Sequence, residues 1–190
     1  MDKPIHEDKT FDKIDYSDQL LSPVEYTNCI FSNCNFTGSN VSESDFIDCT
    51  FHGCNFSVVK VKNTGIKNVK FVDCKLTGIQ FSECSNFLFE ASFENCRLDF
   101  SSFYQKKMKK ANFNNCSMKQ VDFSETDLAM AIFKNCDLAD AVFERSILEK
   151  ADFRTAFNYQ LDPELNKIKK AKFSFPQVAG LLGKYQIEID

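Results

Sequence analysis

The chain of 190 residues has no tryptophan, two histidines, six glycines and four prolines. Neither histidine stands near a cluster of acids, no glycine-rich phosphate loop occurs, and no nucleophile is paired with a base. The residue combinations behind most active sites are therefore missing, and a non-enzymatic role with no cofactor and no metal is expected. Long apolar runs are missing too: nothing approaches the roughly 18 residues of a membrane span, and the opening MDKPIHEDKT carries no apolar leader core. The chain thus reads as cytoplasmic, without contact to a membrane. Nor is there surplus positive charge. A formal charge of −4 and a pI near 5.3 argue against a protein that grips nucleic acid by its phosphates.

What is there instead is 21 phenylalanines and nine cysteines. A reducing compartment makes a disulfide framework unexpected. The cysteines recur in context, as CIFSNCNF at 29–36 and CTFHGCNF at 49–56, and such recurrence directs attention to a repeat. Steps of five from Phe31 meet Phe36, Val41, Phe46, Phe51, Phe56, Val61, Ile66, Phe71, Leu76 and Phe81, and backwards Tyr26, Leu21, Tyr16 and Phe11. The phase slips by two residues near 82–88, then resumes at Leu88, Phe93, Leu98, Phe103, Met108 and Phe113 and holds to Phe153.

A period of five is neither the 3.6 of a helix nor the 2 of a sustained strand. It suits a chain that runs extended for a few residues and then turns a corner. Residues two apart on an extended segment share a side, so the position two before each anchor should also face inward. That position holds small residues such as Ser39, Ser44, Thr64, Ala111 and Ala131. Like anchors return every fourth unit: Phe11, Phe31, Phe51, Phe71, Phe93, Phe113, Phe133 and Phe153 form one column. Four units therefore make one turn of a four-sided all-β rod, with rings stacked at the ~4.8 Å strand spacing and about seven turns spanning on the order of 35 Å.

Cys34, Cys54, Cys74, Cys96, Cys116 and Cys136 fall in one inward column, Cys29 and Cys49 in another, and Cys84 at or near such a position. They read as small buried hydrophobes. A ladder on one wall does not give the convergence a thiolate metal site needs, and bridges between neighbouring rungs, though sterically conceivable, are disfavoured by the compartment. His52 follows an anchor and should face solvent. Lys106 stands where a small inward residue belongs, so either the corner is distorted there or the side chain escapes to solvent.

The tandem units ANFNN, VDFSE, TDLAM, AIFKN, CDLAD, AVFER and ADFRT resemble the pentapeptide-repeat family. The resemblance implies a right-handed quadrilateral β-helix over residues 11–157, after an N-terminal tail of residues 1–10. Residues 158–190 are similar to the C-terminal segment of quinolone-resistance (Qnr-type) and microcin-immunity members. Asp162 and Pro163 break the repeat, Phe173 resumes it twenty residues after Phe153, and Ser174 with Pro176 predicts a short helical cap through Leu181 and Leu182, followed by a small strand in QIEID. The resemblance further implies a homodimer through this segment, with Phe175, Val178, Leu181 and Leu182 as contact candidates.

For function, the resemblance implies a DNA mimic that binds a type II topoisomerase, DNA gyrase or topoisomerase IV, and modulates it or protects it from inhibitors, without binding nucleic acid itself. Outward acids supply a candidate edge: Glu43, Glu83, Asp122, Glu125 and Glu144 on the third side, and Asp45, Asp48, Asp127 and Glu149 on the fourth. Lys106, Lys107, Lys109 and Lys110 interrupt it. The alternative is a scaffold that recognises an unrelated protein through aromatics at the phase slip, Phe87 and Phe89, with Phe100 and Tyr104 nearby. Met130, Ile132, Val142 and Ile147 also point outward and are expected under the tail or a dimer contact.

Overall fold

Most corners are turned two residues after an anchor by a residue in the left-handed conformation; those at Pro23, Glu83 and Thr155 are not. Asn33, Asp73, Asn95, Asn115 and Asn135, each two places after a column phenylalanine, have φ between 53° and 55°. Asn and Asp tolerate this region because their short polar side chains bond locally, which accounts for their recurrence in the repeat. Between corners the chain is extended for only a few residues. The computed structural model describes residues 3–188.

In chain order the strands are β1 (Ile5–Glu7), β2 (Thr10–Asp12), β3 (Glu25–Thr27), β4 (Ile30–Ser32), β5 (Asp45–Ile47), β6 (Thr50–His52), β7 (Gly65–Lys67), β8 (Val69–Val72), β9 (Ala91–Glu94), β10 (Asn112–Asn114) and β11 (Ile132–Lys134). All pairings are parallel. One wall is the four-stranded sheet β1-β3-β5-β7, and the next is the seven-stranded sheet β2-β4-β6-β8-β9-β10-β11. The remaining walls are held by single parallel bridges such as Asn35↔Asn55 and Ser102↔Asp122. The register is twenty residues, Phe31 opposite Phe51, except at the slip, where Phe71 lies opposite Phe93. The chain is thus a right-handed quadrilateral β-helix.

The expected phenylalanine column is a continuous ring stack. From Phe11 to Phe173 neighbouring centroids are 4.6 to 5.4 Å apart with interplanar angles of 16° or less. A second stack, Phe81, Phe103, Phe123 and Phe143, rises on the third wall and meets the first edge-on, as between Phe113 and Phe123 at 6.0 Å and 75°. Such tilted contacts between stacks suit the ring quadrupole and add to the area buried.

Three boundaries differ from expectation. Within the segment expected to be an N-terminal tail, Ile5–Glu7 pairs with β3 as β1 and the His6 ring packs 5.3 Å from Tyr26. A histidine escapes an apolar count although its ring fills an anchor position. The ladder also continues past 157, through Ile147↔Lys167 and Asp152↔Lys172. Beyond Ser174, whose side chain makes no capping bond, Phe175–Leu181 is a 3-10 helix with Pro176 in its first turn, followed by a second 3-10 turn at Gly183–Tyr185. The short segment is held down at Gly180, whose carbonyl accepts from Leu161 N–H at 2.9 Å. A Cβ there would collide with the Tyr159 carbonyl, so only glycine fits. Residues 186–188 form no strand, and the rest of QIEID lies outside the described residues. Among the described residues no helix is long and apolar enough to cross a membrane.

Candidate functional site

The candidate acids lie on the third and fourth walls, where the twenty-residue register interleaves them with other residues, and further acids such as Asp73, Asp99 and Asp137 lie on the other two. One corner column runs Glu43, Asn63, Glu83, Gln105, Glu125 and Arg145. Gln105 Nε2 (2.7 Å) and Arg145 Nη2 (2.8 Å) both donate to Glu125, and they hold its carboxyl below the usual range. Asp45 pairs with Lys3 at 2.6 Å and Lys67 at 3.7 Å, and Asp127 with Lys109 at 3.5 Å. Asp48 accepts from Asn68 Nδ2 at 2.6 Å, and Asp122 accepts from Ser124 N–H at 2.9 Å and Ser102 Oγ at 3.3 Å. Glu43, Glu83, Glu144 and Glu149 are exposed and join no ion pair among the described residues. The acidic edge is therefore a set of separated carboxylates.

The phase slip is an outward bulge. The two extra residues interrupt the four-stranded wall, which is why its sheet ends at β7, while the seven-stranded wall stays paired through β8 and β9. Leu88 does not resume the anchors: it is exposed, with φ of 54°, and Phe89 is the buried residue, set 6.2 Å edge-on to Phe81. Phe89 is thus no outward aromatic. Phe87 is, at 67% exposure, with the Lys67 ammonium 5.5 Å from its ring centroid. Phe100 and Tyr104 are exposed as well.

Lys106 explains how the bulge is held. Its side chain does not escape to solvent: it is buried, at 1% exposure. In other rungs of this column a small side chain donates to a carbonyl 23 residues earlier: Thr64 to Val41, Thr126 to Phe103, Ser146 to Phe123. At the slip the corresponding carbonyl, Phe81 O, accepts Cys84 N–H, just as Val41 O, Phe103 O and Phe123 O accept the N–H of Ser44, Lys106 and Thr126, but it receives no side-chain donor from Lys106. Lys106 reaches further instead, and its ammonium donates to Cys84 O at 2.5 Å and Asn86 Oδ1 at 2.7 Å, with the Phe89 ring centroid 5.2 Å away. Burial lowers its pKa. A long donor in a column of short ones, one rung after a slip, is a signal the sequence carries.

The six-cysteine column is buried throughout, and all nine thiols are free. The thiols also act as weak donors: Cys54, Cys74, Cys96 and Cys136 each point to the carbonyl of a column phenylalanine at 3.4 to 3.5 Å. Burial pushes Cys49 up to about 11 and Cys84 to about 12. Among the described residues no three His, Cys, Asp or Glu side chains converge as a metal ion would require. At the C-terminal end Leu181 packs against the chain's own core, while Phe175 (91% exposed), Val178 and Leu182 face out. The tail does not cover Met130, Ile132 or Val142, which stay exposed on different walls and corners.

The family model described as "Pentapeptide repeat region" matches residues 24–86 and 86–157. No curated protein matches the chain by sequence. Among solved structures, full-length QnrB1, a plasmid-mediated fluoroquinolone resistance protein, is similar at 14% identity and a TM-score of 0.56, over 96% of this chain and all of that one. A trypsin-treated variant of QnrB1 is similar at 17% identity and a TM-score of 0.53, over 95% of this chain and all of that one.

Proposed function

Since this chain belongs to the pentapeptide-repeat family, we propose that it is a non-enzymatic protein-binding rod whose partner is a type II topoisomerase, DNA gyrase or topoisomerase IV. The observation that carries this reading is the set of carboxylates that join no ion pair among the described residues, Glu43, Glu83, Glu144 and Glu149, on adjoining walls of the four-sided rod. Acids fixed on a rigid frame present negative charge to a basic, DNA-holding groove without an ordering cost. The likeness to QnrB1, a fluoroquinolone resistance protein, supports aiming the test at the targets of those drugs. The same reading has two copies meet through Phe175, Val178 and Leu182, an apolar set with no cover in the single chain.

The test is a supercoiling assay with gyrase from the native host, with and without a fluoroquinolone. Rescue in the drug's presence, or inhibition in its absence, is expected, and it should weaken in a Glu43→Lys, Glu144→Lys variant. No effect at micromolar protein overturns the gyrase reading. A second reading, recognition of an unrelated protein, is favoured by the bulge, where Phe87 and Leu88 stand exposed together.

A further inference from the structure

We propose that the groove beside the bulge binds an extended acidic peptide segment of a partner protein. The inference goes beyond the topoisomerase reading and stands without it. Where the 88–92 stretch splays from the 107–112 stretch, a groove of about 720 Å³ opens. Val69, Leu88, Ala91 and Met108 supply its apolar surface, and Lys107, Lys109 and Lys110 line one side. Lys109 is engaged by Asp127, whereas Lys107 and Lys110 are exposed and join no ion pair among the described residues.

The groove also offers backbone donors. In regular rungs the residue after the inward position donates to the rung before, as Asp127 N–H to Lys106 O and Ile147 N–H to Thr126 O. The equivalent acceptor for Lys107 is Cys84 O, which instead takes the Lys106 ammonium. At the opposite corner Asp48 N–H donates to Lys67 O, but Asn68 has no counterpart, because the bulge is out of register. Lys107 and Asn68 both border the groove, and neither N–H has a backbone acceptor among the described residues. Unpaired ladder donors beside a strand-lined groove suit the carbonyls of an extended chain. The lysines select carboxylates, and the apolar surface takes the side chains between them. Glu90 and Asp127 border the same groove, and the whole chain carries −4, which disfavours a polyphosphate backbone as the occupant.

The test uses the full-length protein and a short fluorescein-labelled peptide of alternating glutamate and leucine. A lysine–leucine peptide and a short DNA duplex serve as comparators. Anisotropy should show saturable binding of the acidic peptide alone, weakened by salt, with the amide signals of Asn68 and Lys107 shifting. The Lys107→Glu, Lys110→Glu variant, altered only at exposed side chains, should bind at least about tenfold more weakly with an unchanged melting temperature. Leu88→Asn, compatible with the left-handed backbone there, should weaken binding too. Absence of binding at millimolar peptide, equal binding by the charge-reversed variant, or tighter binding of the duplex would each overturn the proposal.

Discussion

Replacing Phe113 by alanine tests whether the ring stack is the backbone of the rod's stability. Phe113 is fully buried, stacked between Phe93 at 5.2 Å and Phe133 at 5.1 Å, with Phe103 and Phe123 edge-on at 6.2 and 6.0 Å. Truncating a buried phenylalanine costs about 3 to 5 kcal/mol, more where the site cannot collapse. Here it cannot, because Asn112–Asn114 is laddered to β9 below and β11 above. Each aromatic contact contributes a further ~0.5 to 1.5 kcal/mol, so the upper end, about 5 kcal/mol, is expected. Phe11 is the internal control. It lies at the end of the stack, only partly buried and stacked on one ring alone, Phe31 at 4.7 Å, and Phe11→Ala should cost about 2 kcal/mol. Urea denaturation followed by circular dichroism measures both. A Phe113→Ala cost below about 1 kcal/mol, or one no larger than that of Phe11→Ala, would refute the reasoning.

Lys106→Ala should lose two charge-assisted hydrogen bonds and leave Cys84 O and Asn86 Oδ1 unpaired, at a cost of about 3 kcal/mol or more, with faster hydrogen exchange confined to residues 84–90. Burial puts the folded-state Lys106 pKa below its ordinary 10.5, so the unfolded chain binds the proton more tightly between those values. Stability relative to Lys106→Met should therefore rise with pH across that window, and a flat difference would contradict a buried ammonium. The nine thiols should resist a thiol reagent in the native protein and all react in denaturant, since each is buried and Cys49 and Cys84 are pushed to about 11 and 12. Rapid labelling of several would contradict the inward column. Phe175→Glu with Leu182→Glu should give monomers by light scattering with an unchanged melting temperature, whereas Leu181→Glu should lower it, because Leu181 faces the chain's own core.

The sequence by itself determined the architecture. A solenoid repeats one local solution, so every anchor, every small inward residue and every Asn or Asp at a corner restates the same constraint, and the stack from Phe11 to Phe153 follows from counting in fives and twenties. The end of the stack was legible for the same reason, as Phe173 lies twenty residues beyond Phe153. What only the tertiary structure decided lies where the repeat fails. At the slip, periodicity selects Leu88 as the next anchor, but two extra residues must leave the wall somewhere, and the place is set by which ring fits against Phe81 and which donor reaches Cys84 O. Phe89 supplies the ring and Lys106, from the following turn, supplies the donor. Likewise the acids are countable in sequence, yet whether a carboxylate stays free depends on the residue one turn away, as Arg145 is for Glu125 and Lys109 for Asp127. Local chemistry fixes a repeating rung; contacts between rungs fix its exceptions, and the candidate binding surfaces are built from those exceptions.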